Sequence, residues 1–108
     1  PAHITKEGDP DLRNYVVYNY MGEHQLRIVY HVAEFVGARI RMDAAVTGAN
    51  IEISYTLRNT ATEEGMCEYP LYFDLDEFPY FDYHLFVKGK EYPLYFQKGY
   101  GPDTIYVD

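Results

Sequence analysis

The sequence predicts an all-β fold, an antiparallel β-sandwich of seven or eight short strands, and three observations carry that prediction. Apolar and polar residues alternate with a period of two through several segments. The segments recur at intervals of roughly ten residues, divided by Gly, Pro, Asn and Asp, which is the spacing of sandwiches and barrels. Finally, 13 Tyr and 6 Phe make 18% of the 108 residues aromatic, with no Trp, a composition suited to half-buried strand faces. The length holds one domain. A hydrophobic fraction of 47% beside a charged fraction of 24% excludes a disordered or collagenous chain.

Taken in order, residues 1–13 read as an N-terminal arm or turn, because Lys6-Glu7-Gly8-Asp9-Pro10-Asp11 is turn chemistry. Pro1 stands where an initiating Met is expected, so an upstream piece is expected to have been removed. The sandwich domain spans residues 14–108. Its first strand is Asn14 to Tyr20, β-branched and aromatic, closed by Met21-Gly22-Glu23. In the next, Gln25 to Val32, Leu26, Ile28, Tyr30 and Val32 share one face. From Ala33 to Met42 the pattern fits either a third strand bent at Gly37 or a continuation of the second through a bulge. Thr47-Gly48-Ala49-Asn50 is a turn, and the strand after it has the clearest alternation: Ile51, Ile53, Tyr55 and Leu57 form the expected core face, with Glu52, Ser54, Thr56 and Arg58 opposite. Further strands are expected at Leu71–Leu75, Phe81–Val87 and Tyr92–Gln97, with a hairpin at Lys88-Gly89-Lys90, and a short closing strand at Thr104–Val107.

Glu68-Tyr69-Pro70-Leu71-Tyr72-Phe73 recurs unchanged 23 residues later as Glu91-Tyr92-Pro93-Leu94-Tyr95-Phe96, with Glu77-Phe78-Pro79-Tyr80-Phe81 a degenerate third copy. The spacing is too irregular for a solenoid. On a structural reading each copy starts a strand, because proline cannot donate to a ladder and so sits at a strand's first residue or on an edge. On a functional reading the flanking rings form an aromatic ledge for a partner. Alternation places Leu71 and Phe73 toward the core and Tyr72 and Asp74 outward.

With 17 acidic against 9 basic residues the formal charge is −8, which disfavours nucleic acid and anionic membranes. No Lys or Arg lies between Arg58 and Lys88, whereas Glu63, Glu64, Glu68, Asp74, Asp76, Glu77 and Asp82 do. The candidate binding residues are therefore Tyr69, Tyr72, Tyr80, Tyr92 and Tyr95 with Asp74, Asp76 and Glu77, an acidic and aromatic surface for a protein or glycan partner. No catalytic constellation, metal site or cofactor motif emerges. The four histidines lack metal-ligand spacing, Asp74-Leu75-Asp76-Glu77 lacks the calcium loop around it, and nothing surrounds Cys67 to mark a nucleophile. The single cysteine excludes an intrachain disulfide. No apolar run is long enough for a spanning helix, and the oligomeric state is not legible.

The stretch Glu52-Ile53-Ser54-Tyr55-Thr56-Leu57-Arg58-Asn59-Thr60, followed by an aromatic strand and Phe86-Val87-Lys88-Gly89-Lys90-Glu91, resembles small bacterial immunoglobulin-like domains. There a strand ends at an Asn-Thr corner and a later hairpin carries a Lys-Gly-Lys tip. In this respect it is similar to proteinase-inhibitor-type domains and to accessory domains of cell-envelope lipoproteins. The resemblance covers about half the chain and implies an immunoglobulin-like sandwich, without the paired Cys and core Trp of antibody domains. The function expected is a non-enzymatic binding or assembly module of the bacterial cell envelope, in the periplasm or on the cell surface, with a cytoplasmic location left open. The alternative is a small acidic inhibitor or decoy that occupies a basic groove on an enzyme.

Overall fold

The structure, a computed structural model, describes residues 3–4, 13–22, 25–62, 64–76, 84–94 and 103–107. In chain order the strands are β1 (His3–Ile4), β2 (Asn14–Gly22), β3 (Gln25–Phe35), β4 (Ile40–Thr47), β5 (Asn50–Leu57), β6 (Met66–Asp76), β7 (His84–Val87), β8 (Lys90–Pro93) and β9 (Asp103–Val107). Eight of them have four or more residues, and no helix occurs among the described residues. They form a five-stranded sheet, β1-β6-β3-β2-β9, and a four-stranded sheet, β4-β5-β7-β8. Val16, Tyr18, Leu26, Ile28, Tyr30, Val32 and Val107 from the first sheet and Ile51, Ile53, Leu85 and Val87 from the second join Leu94 in one buried cluster. The sheets therefore face each other across a single core.

The alternation in β3 is realised in full: Leu26, Ile28, Tyr30 and Val32 are buried, while Gln25 and Arg27 are exposed. In β5 it holds for Ile51 and Ile53 and then weakens, with Tyr55 half-buried and Leu57 42% exposed. Pairing explains the correction. Beyond Ile53 the strand loses β7, and among the described residues only β4 remains beside it, so Leu57 lies at the rim. The ambiguous stretch 33–42 resolves into two strands: β3 ends at Phe35, the chain turns, and β4 begins at Ile40. Two side chains hold that turn. Asn59 accepts from Arg39 N (2.8 Å) and donates to the Gly37 carbonyl (3.0 Å), and the Tyr69 hydroxyl accepts from Ala38 N (3.1 Å) and donates to the Phe35 carbonyl (2.9 Å). The Lys-Gly-Lys hairpin forms as expected, since Val87 pairs with Lys90 and both Lys88 (φ 52°) and Gly89 (φ 84°) take the positive φ that a type I′ turn requires.

Two further expectations are corrected. The sandwich is not wholly antiparallel, because β5 and β7 pair in parallel; the chain visits the other sheet as β6 between them, and that detour lets β7 return in the direction of β5. Nor do the described prolines start strands; they take the other place open to proline, an edge, and Pro79 lies outside the described residues. Pro70 lies inside the eleven-residue β6, opposite His31, and Pro93 is the last residue of β8.

Candidate functional site

Because Val16, Tyr18 and the even-numbered residues of β3 turn inward, the residues between them turn outward, and the register lines them up in rows across the five-stranded sheet. One row runs Tyr106, Tyr15, His31, Pro70; the next runs Thr104, Val17, Val29, Tyr72; a third runs Asn19, Arg27, Asp74. In the first row the Tyr15 and His31 rings stack with centroids 4.4 Å apart and planes 10° from parallel. Tyr106 leans against Tyr15 at 5.9 Å, and the Arg13 guanidinium lies 4.3 Å from the centre of the Tyr106 ring. The Glu68 carboxylate sits 3.5 Å from His31 Nδ1. Burial, then the hydrogen bond and charge of Glu68, push the Tyr15 hydroxyl up to about 12.

The third row ends in a two-pronged ion pair. Arg27 Nε and Nη2 donate to the two oxygens of Asp74 at 2.7 and 3.0 Å, and these bonds hold the Asp74 carboxyl below the ordinary carboxylate range. A hollow of about 120 Å³ lies between Gln25, Arg27, Asp74 and Asp76. Between the aromatic row and the charged row, Val17 and Val29 make an apolar floor, with Tyr72 (63% exposed) at its β6 end and Tyr106 (56% exposed) on the β9 side.

Of the residues singled out in the sequence, Tyr72, Asp74 and Asp76 come together on this face, and Leu71 and Phe73 turn inward as their alternation requires. Tyr69 also turns inward and spends its hydroxyl on the β3–β4 turn. Tyr92 belongs to the other sheet and packs against the core. Glu77, Tyr80 and Tyr95 lie outside the described residues. Tyr15, His31 and Tyr106 escaped the sequence reading. Alternation from Val16 and Tyr18 was enough to turn Tyr15 outward, but its stacking on His31 depends on the β2–β3 register.

Elsewhere, an open groove of about 420 Å³ on the second sheet is bordered by Asp43, Glu52, Ser54 and Lys88. Between the sheets, the Tyr55 hydroxyl donates to Glu34 Oε2 at 2.5 Å, tying β5 to β3, and Lys88 Nζ lies 4.4 Å from the centre of the Tyr55 ring. Burial pushes the Tyr55 hydroxyl up and that of Tyr30 up to about 12. The Tyr30 hydroxyl has no hydrogen-bond partner among the described residues. Those residues contain no group of three His, Cys, Asp or Glu placed to hold a metal, and no helix long and apolar enough to cross a membrane. The chain matches no family model, no curated protein and no solved structure.

Proposed function

We propose that this chain is a non-enzymatic binding module whose contact surface is the outer face of the five-stranded sheet, and that its partner is a protein. One observation carries the reading: Tyr72 and Tyr106 project, well exposed, beside a floor of Val17 and Val29, and tyrosines around an apolar centre supply contact area at low entropy cost. A glycan is the weaker choice. Sugar stacking needs open ring faces, but Tyr15 and His31 cover each other and Arg13 covers Tyr106. The acidic decoy is weaker as well, because Glu68 lies against His31 and Asp74 is neutralised by Arg27. The bacterial cell envelope and the immunoglobulin-like assignment enter this proposal from the resemblance. Asn59 at the end of β5 and the Lys88-Gly89 tip support that assignment, and the parallel β5–β7 pair is what it must accommodate.

The test is the double variant Tyr72→Ala/Tyr106→Ala, titrated against partner candidates drawn from neighbouring genes. Binding should weaken at least about tenfold, while stability to urea changes by less than about 1 kcal/mol. Full affinity in the double variant refutes the face, and affinity that collapses with added salt favours the decoy.

A further inference from the structure

We propose that the free edge of β6 takes up an extended segment of a partner protein as an added strand, a segment in which apolar residues alternate with Lys or Arg. The proposal rests on the binding-module reading but concerns a backbone edge, not the aromatic face. Residues 71–76 of β6 pair with β3 on one side, from Tyr30↔Leu71 to Gln25↔Asp76, and have no strand on the other side among the described residues. The same edge accepts a strand just before this stretch, where β1 pairs with Cys67 and Glu68. An edge of this kind presents a row of unpaired N–H and C=O groups, which is the template for strand addition.

Side chains on both faces of that edge specify the occupant. Leu71, Phe73 and Leu75 point into the core yet are only partly buried, while their cross-strand neighbours Tyr30, Ile28 and Leu26 are fully buried. The core is thus open along this side, and inward apolar residues of an added strand would cover it. On the outward side Asp74 is already paired with Arg27, so the edge offers Tyr72 and the Asp76 carboxylate in a chain of net charge −8, and outward Lys or Arg residues complement them. A second copy of this chain fits less well, since it would bring the same carboxylates and a further charge of −8.

The probe is an eight-residue peptide alternating valine with lysine, together with two versions N-methylated at alternate residues, one for each edge of the peptide strand. Binding to the intact chain should slow amide hydrogen exchange within residues 71–76. N-methylation on one edge alone should abolish binding, while methylation on the other leaves affinity within about threefold. Replacing lysine by glutamate should weaken binding at least about tenfold. Tyr106→Ala, on β9 at the opposite side of the sheet, should retain the peptide within about threefold, which separates this edge from the aromatic face. Absence of binding at millimolar peptide, equal binding by both methylated versions, or a concentration-dependent dimer that the peptide dissolves would each overturn the proposal.

Discussion

The two described copies of Glu-Tyr-Pro-Leu lie in opposite sheets yet adopt the same phase. In β6, Tyr69 and Leu71 point inward and Glu68 and Pro70 outward; at β8, Tyr92 and Leu94 point inward and Glu91 and Pro93 outward. Each proline stands directly opposite a histidine, Pro70 opposite His31 and Pro93 opposite His84. In both, the glutamate two residues earlier reaches diagonally to that histidine's Nδ1. What differs is extent. Beside the eleven residues of β3 the first copy is embedded in an eleven-residue strand, whereas beside the four residues of β7 the second ends its strand at the proline. The peptide sets its own phase and its cross-strand pair, and the neighbouring strand sets how far the ladder runs.

The largest effect that sharpens this comparison lies at the shared leucine. Leu94 is 9% exposed and Leu71 only partly buried at the open edge of β6. Leu94→Ala should therefore cost about 2–4 kcal/mol and Leu71→Ala about 1–2 kcal/mol in urea denaturation; equal losses would show that the edge is covered. High pH acts on the seam between the copies, because Tyr30 pairs in register with Leu71 and lies close enough to Tyr92 for their charges to repel. Tyr15 and Tyr30 titrate higher in the folded chain than in the unfolded one. Their contribution is intact below pH 10 and is lost as pH rises from 10 toward 12, so the midpoint for urea unfolding should fall across that window. Tyr30→Phe should flatten the fall.

Tyr69→Phe comes next, since its hydroxyl both donates and accepts at the β3–β4 turn; it should cost about 1–2 kcal/mol and speed hydrogen exchange at Ala38. Smallest are the glutamates. The Glu91–His84 contact is the shorter, 2.6 Å against 3.5 Å, but its side chains are half exposed, whereas those of Glu68 and His31 are about a fifth exposed. Burial outweighs distance here because solvent screens the exposed pair. Glu91→Gln should cost less than about 0.5 kcal/mol and Glu68→Gln somewhat more; the reverse order would mean that geometry dominates.

Much of the fold was legible because its signals are local. The inward residues of β3, the Thr47–Asn50 turn, the Lys88-Gly89 hairpin and the outward placement of Tyr72 and Asp74 all follow from a side-chain period of two and from turn chemistry. The candidate site was only half legible. Tyr72, Asp74 and Asp76 could be placed by alternation along one strand, but the stack of Tyr15 on His31, the lean of Tyr106 and the Arg27–Asp74 pair join residues as many as 91 positions apart in the chain, and alternation within a strand says nothing about which strand lies beside it.

By itself the sequence determined which residues of β3, of the first half of β5 and of β6 from Leu71 on meet the core and where the chain can reverse, because both depend on the chemistry of a few consecutive residues. Tertiary structure decided the rest. It placed the repeated peptides in opposite sheets, made β5 and β7 parallel, carried Leu57 past the last strand able to cover it and turned Tyr69 to a turn from another part of the chain. Each of these depends on long-range pairing, and pairing is settled by how two apolar faces close over one core.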